Sequence, residues 1–170
     1  INLALVDNKP RVMSLKEAMQ EYLKFREEVV IRRTRFDLRQ AEERAHILEG
    51  YRIALDNIDE IVALIRRSES PATAKAELMA RFGLSEIQAQ AILDLRLARL
   101  TGLERQKIEA EYLELIQLIA ELKAILASRA RVLQIIREEL LEVKAAYEDP
   151  RRTEIVADEG EFAAEDLIAD

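Results

Sequence analysis

Cysteine is absent from the sequence, which excludes disulfides and thiolate metal sites and points to a reducing cytoplasm. Glycine occurs 4 times and proline 3 times in 170 residues. That leaves almost no material for phosphate-cradling loops or sharp active-site turns. No apolar run approaches the roughly 20 residues needed to span a bilayer, and no secretory signal opens the chain, so no membrane partner is expected. The first residue is Ile1 rather than Met, which suggests a piece of a larger protein.

The motifs of catalysis are missing as well. There is no GxxxxGK phosphate loop, no GxGxxG and no HExxH. His46 is the single histidine; it stands mid-helix among charges with no nucleophile at helical spacing, and is read as a surface or packing residue. Tyr22, Tyr51, Tyr112 and Tyr147 fall mostly in phase with apolar neighbours, so core packing is expected of all four. Acidic side chains are many and evenly matched by basic ones, which singles out no acid–base couple. The sequence therefore predicts no catalytic residue, no metal ligand set and no cofactor.

What the chain does have is charge and aliphatic bulk. Charged residues make up 35% and aromatics only 5%, the mixture of long helices and coiled coils. The net charge of −7 is uneven: seven acidic residues and no basic one follow Thr153 (Glu154, Asp158, Glu159, Glu161, Glu165, Asp166, Asp170). Taking those seven from 33 leaves 26 acidic against 26 basic residues over 1–152. A balanced body argues against a generic nucleic-acid coat, though not against a local basic patch.

Along the chain, Leu3–Val6 and Arg11–Met13 flank the turn residues Asp7-Asn8-Lys9-Pro10, which predicts a β-hairpin stub over 1–14. Ser14 with Glu17 forms a capping box for a first long helical arm over 15–56. Its buried stripe is expected at Tyr22, Phe25, Val29, Phe36, Ile47, Tyr51 and Leu55. A helical head over 57–102 follows. It is punctuated by an Asn57/Glu60 capping pair, by Pro71 at a helix start, by Gly83 at a helix end, and by Ser85/Gln88 opening a helix to Leu100. Thr101 and Glu104 cap a second arm over 103–148. Its seam is Ile108, Tyr112, Leu115, Ile119, Leu122 and Leu126, then, after a break at Ala127-Ser128, Val132, Ile136, Leu140, Val143 and Tyr147. An acidic tail occupies 149–170. The two arms have similar length and each needs a partner for its stripe, so the fold predicted is mainly α: an antiparallel coiled-coil rod with a small helical head.

Two features could carry function. On the helix from Glu86 to Leu100, Ile87, Ala91, Leu95 and Ala98 share one sector, and Ala89, Leu93, Leu97 and Leu100 the opposite one. Two apolar stripes call for cover on both sides, one from the head itself and one from another molecule. The alternative is that neighbouring head helices and the arm tips cover both. The second feature is the basic run Arg32, Arg33, Arg35 and Arg39, either a phosphate-contacting patch or a solvated face matched by Glu27, Glu28 and Asp37.

Three strings carry a family resemblance. RRTRFDLRQAEERAHILE (Arg32–Glu49), SEIQAQAILDLRLARLTGLERQKI (Ser85–Ile108) and RRTEI (Arg151–Ile155) resemble the arms and head of the DNA-cleaving polypeptide of bacterial type IIA topoisomerases. The wording is closer to gyrase than to topoisomerase IV. The resemblance implies an exit gate formed by two heads, hence a homodimer working with the gyrase B subunit on double-stranded DNA. It also implies that the catalytic tyrosine and its arginine lie in a region this sequence does not match, and that the B subunit holds the ATP and magnesium chemistry. The rival readings are a topoisomerase IV equivalent and a standalone helical adaptor. Ala127-Ser128 and the junction at Asn57 are candidate hinges.

Overall fold

A computed structural model describes residues 3–95 and 102–155. Among these, two strands, β1 (Leu3–Val6) and β2 (Lys9–Val12), precede six helices: α1 (Leu15–Asp56), α2 (Ile58–Arg67), α3 (Pro71–Phe82), α4 (Glu86–Leu93), α5 (Gly102–Leu126) and α6 (Arg129–Tyr147). The chain divides into two units, Ile1–Arg137 and Glu138–Asp170.

The hairpin is tighter than its turn residues suggest. β1 and β2 pair antiparallel with Val6 opposite Lys9 and Leu5 opposite Pro10, so only Asp7 and Asn8 form the turn. Both have positive φ, 49° and 61°, as a two-residue turn matching the strand twist requires. Lys9 and Pro10 therefore belong to the strand rather than the loop, Pro10 being tolerated because the ribbon has only two strands. Met13 leaves the strand and is buried.

Helix α1 runs 42 residues, about 63 Å at 1.5 Å per residue. Its start is the capping box predicted: Glu17 N–H donates to Ser14 Oγ at 3.3 Å and the Glu17 carboxylate accepts from Ser14 N–H at 2.7 Å. Its end corrects the prediction at Asn57. That side chain donates back to the Ile53 carbonyl at 2.9 Å, closing α1, and makes no cap bond to α2. Pro71 stands at the first position of α3, Gly83 ends it at φ 66° and Ser85/Gln88 form a capping box on α4, as predicted, and Ser70 adds a cap to α3 that was not foreseen. α4 stops at Leu93, with Leu95 N–H turning back to the Ile92 carbonyl, so the helix predicted to reach Leu100 is shorter. Thr101 lies outside the described residues. The break at Ala127-Ser128 is present between α5 and α6.

In the first unit α1 packs antiparallel on α5, as the ion pairs between them order it: Glu42 with Lys123, Arg44 with Glu111, Arg52 with Glu109, and Asp56 with Arg105. On α5 the seam is the one predicted, with Ile108 and Leu122 buried and Tyr112, Leu115, Ile119 and Leu126 half-buried. On α1 it is not. The buried positions are Val30, Thr34, Ala41, Ala45, Leu48, Gly50, Ala54 and Leu55, whereas Tyr22, Phe25 and Phe36 are 47%, 58% and 53% exposed. Small and β-branched residues, with Leu48 and Leu55, take the seam because interaxial distance depends on the side chains at the contact, and broad rings would hold the helices apart. Thr34 fits there because its hydroxyl donates to the Val30 carbonyl at 2.8 Å, satisfying the buried group.

The first turns of α6 join the same unit: Val132 and Ile136 bury with Val30, and Arg129 holds Glu27 with two bonds of 2.8 Å. In the second unit, the later seam positions Leu140, Val143 and Tyr147 are exposed, contrary to the coiled-coil reading, as Tyr147 is to the expectation of core packing. Periodicity marks a face that suits a partner; it does not supply one. A second cluster forms the head, where Ala54, Ile61, Leu64, Ala74, Leu78, Leu84, Ala89 and Ile92 meet. Arg67–Glu77, Lys75–Glu86 and Arg81–Glu60 pairs lie around it.

Two expectations follow. Truncating Leu48, fully buried against Leu55 and Ile108, should cost about 2–5 kcal/mol, while Phe36→Ala should stay within about 0.5 kcal/mol; denaturant titration of both variants checks the seam. The hydrogen bonds from Arg129 hold the Glu27 carboxyl below its ordinary value of 4.5. Its stabilisation is therefore present above that value and lost as pH falls through the depressed one. The stability gap between wild type and Glu27→Gln should accordingly close on acidification, and a gap independent of pH would refute the coupling.

Candidate functional site

The head is fastened to α1 through one polar knot. Gly50 is the only glycine in α1, and a Cβ there would stand 2.9 Å from both Cβ and Cγ of Gln88. Its bareness lets the Gln88 side chain lie across α1, where the residue is only 4% exposed. The capping box fixes that amide: Oε1 accepts from Ser85 N–H at 3.0 Å, so Nε2 faces α1 and donates to the His46 carbonyl at 2.8 Å. The same Nε2 lies 3.3 Å from His46 Nδ1, which leaves Nδ1 the acceptor and Nε2 of His46 the donor to Ser85 Oγ at 2.7 Å. His46 is thus a joint residue rather than a free surface group. Sequence reasoning placed Gln88 in the cap of α4 but missed its reach across α1, to which the lone glycine of that long helix was the signal.

Beside the knot, a ladder of partly exposed charges holds α5 against α1. Arg44 grips Glu111 through bonds of 2.6 and 2.9 Å, a two-pronged geometry that raises the guanidinium pKa. Arg52 donates to Glu109 at 2.7 Å and lies 4.4 Å over the Tyr112 ring. Tyr51 and Tyr112 pack half-buried at this junction. Tyr22, half exposed, does not pack as expected. Hydrogen bonding to Lys75 lowers the Glu86 carboxyl, which fixes the first turn of α4 to α3.

The opposite flank of the head opens as an apolar groove of about 310 Å³, lined by Ala54, Ile58, Ile61, Val62, Ile65, Ile92, Leu93 and Leu95, with Arg66 the charged residue among them. Of the four predicted interface positions, Leu95 lines this groove. Ile87 is 62% exposed and Ala91 half-buried, and neither is part of the lining; Ala98 lies outside the described residues. The buried face of α4 is Gln88, Ala89 and Ile92; Leu97, Ala98 and Leu100, which would complete the two predicted stripes, lie outside the described residues.

Arg32, Arg33, Arg35 and Arg39 are all exposed on α1. Arg39 reaches Glu43 at 4.0 Å and stacks on Phe36 at 5.4 Å. Among the described residues no group of three or more His, Cys, Asp or Glu side chains could hold a metal ion, and no helix is long and apolar enough to cross a membrane.

The knot makes its own prediction. In an ordinary helix interior Gly→Ala gains roughly 0.5–1 kcal/mol, but here the new methyl would overpack a buried side chain, at about 1–3 kcal/mol. Gly50→Ala should therefore destabilise the protein on denaturant titration; a stabilised variant would show that Gln88 does not lie across α1.

Residues 1–141 match the family of DNA gyrase and topoisomerase IV A subunits. The chain is 60% identical over 166 residues to the DNA gyrase A subunit of Clostridium acetobutylicum and 61% identical over 166 residues to that of Halalkalibacterium halodurans. It is 54% identical over 168 residues to the corresponding protein of Dehalogenimonas lykanthroporepellens. Each alignment covers 98% of this chain and 20% of the relative, so the chain spans about a fifth of their length. With a match this extensive, across arm, joint and head, the chain belongs to the family of DNA gyrase and topoisomerase IV A subunits.

Proposed function

We propose that the chain is the arm and dimerisation head of a gyrase A subunit, and that two heads meet through the apolar groove to form the exit gate for a transported DNA duplex. The observation that carries this reading is the groove itself: half-buried Ile58, Val62, Ile65, Leu93 and Leu95 line it over a floor of Ala54, Ile61 and Ile92, with Arg66 the charged residue among them. Open apolar concavities of this kind suit a protein partner. A gate must hold while DNA is broken elsewhere and open to release it. A contact of moderate size suits both demands when it is carried on helices braced by the ion pairs between α1 and α5.

In this reading the segments 15–56 and 103–148 are the arm, 57–102 the head, 1–14 the stub of the main body and 149–170 a linker. The whole protein, with the gyrase B subunit, would supercoil double-stranded DNA at the expense of ATP, and this segment would contribute no catalytic group or cofactor. Ala127-Ser128 and Asn57, where helices meet end to end, are the proposed hinges.

Light scattering on the purified chain tests the gate. Wild type should dimerise, and Leu95→Arg or Val62→Arg, each placing a charge in the groove, should yield monomers of unchanged helical circular dichroism. A wild-type chain that stays monomeric at its solubility limit would overturn the reading.

A further inference from the structure

We infer that α2 packs antiparallel on the α2 of a second copy about a two-fold axis, with Asp59 of each copy bonded to the partner's Arg66. The inference rests on the reading of the head as a dimerisation surface and adds the register in which two heads meet. Asp59, Val62, Ala63 and Arg66 stand at i, i+3, i+4 and i+7, a single stripe of α2. Ile61 and Leu64, the buried residues of the helix, face the head cluster on the opposite side. Asp59, Ala63 and Arg66 are exposed and Val62 half-buried, and Val62 and Arg66 also line the groove.

The charged residues of α2 divide by side. Glu60 and Arg67 pair with Arg81 and Glu77 of α3. Asp59 and Arg66 have no side-chain hydrogen bond or ion pair among the described residues. Two turns of helix, about 10 Å, separate them, and the positions between them at which a helical partner would stand are Val62 and Ala63, which offer no charge. The helix macrodipole accounts for an acid in the first turn and a base in the last. Glu60 and Arg67 meet that demand as well, however, and it does not select the stripe.

A two-fold axis makes such a stripe complementary to itself, because residue i meets residue j wherever j meets i. The midpoint of positions 59 and 66 falls between Val62 and Ala63. In the antiparallel arrangement these two small residues sit at the axis and let the helices approach closely. Asp59 then faces the partner's Arg66 at both ends, so one stripe supplies two ion pairs. The parallel arrangement would set Asp59 against the partner's Asp59 and Arg66 against the partner's Arg66, which like-charge repulsion disfavours. Charge thus fixes the direction in which α2 runs against its copy, while the aliphatic residues of the groove supply the burial.

Sedimentation of the purified full chain tests the register. Asp59→Lys and Arg66→Glu should each weaken the dimer about tenfold or more, since one reversal places like charges at both ends of the contact. Mixed one to one, with one of them fluorescently labelled, the two variants should form a heterodimer about as tight as the wild-type dimer, because both pairs are then restored. Misfolded variants could not rescue each other in this way. The double variant Asp59→Lys, Arg66→Glu should dimerise with itself. A wild-type dimer that neither reversal weakens, or reversals whose mixture shows no preference for the heterodimer, overturns the register and leaves the gate reading standing. Weakening by Glu69→Lys but not by Asp59→Lys would pair Arg66 with a different acid and overturn it as well. A wild-type chain that stays monomeric removes both.

Discussion

The contact between α1 and α5 is the constraint on which the rest of the first unit depends. Two helices of 42 and 25 residues have no shape of their own beyond a cylinder, and helices in water owe most of their stability to a packed face. The face chosen on α1 is its narrowest, where alanines, a threonine and a valine allow close approach, while α5 supplies the bulk with Ile108, Leu115 and Leu122. Large against small across the seam fills the space between the axes. The partly exposed pairs Arg44–Glu111, Arg52–Glu109 and Lys123–Glu42 contribute little each, but they fix register, since a shift of one turn would bring unlike partners together.

From that register the head inherits its position. α1 continues beyond the arm to Asp56 and delivers Ala54 directly into the head cluster, so arm and head share one rigid helix. Only side contacts then need to orient α4, and the Gln88 knot does this with hydrogen bonds that have few alternatives: a capping box fixes the amide, the amide fixes the imidazole, and the imidazole returns to the capping serine. A buried amide of this sort adds directional specificity that an aliphatic side chain would lack. The outward-facing groove of α2 and α4 is consequently presented at a defined angle to α1, which is what recognition at the head would require.

Local signals were legible in the residues themselves. The Ser14 and Ser85 caps, Pro71, Gly83 and the break at Ala127-Ser128 each satisfy or deny a specific backbone group within four residues, and all appear where the pattern places them. Asn57 failed because its side chain can reach either the helix before it or the one after it, and both choices are local. The seam of α5 was legible because its apolar residues fall on a single stripe. That of α1 was legible only in part, at Val29, Ile47, Tyr51 and Leu55, because its apolar residues form two stripes, and the aromatic one at Tyr22, Phe25 and Phe36 is the more conspicuous. Arg44 and Glu111 stand 67 positions apart, and no spacing rule joins them.

By itself, then, the sequence determined the helical class, most of the described element ends, the absence of a recognisable catalytic motif and the family resemblance, because these rest on hydrogen-bonding neighbours and on strings of residues read in order. Tertiary structure decided which stripe of α1 is buried, that Gln88 and His46 form a joint, and that Leu95 rather than Ile87 lines the groove. Those outcomes depend on how closely two helices can approach, and that distance is a property of the pair.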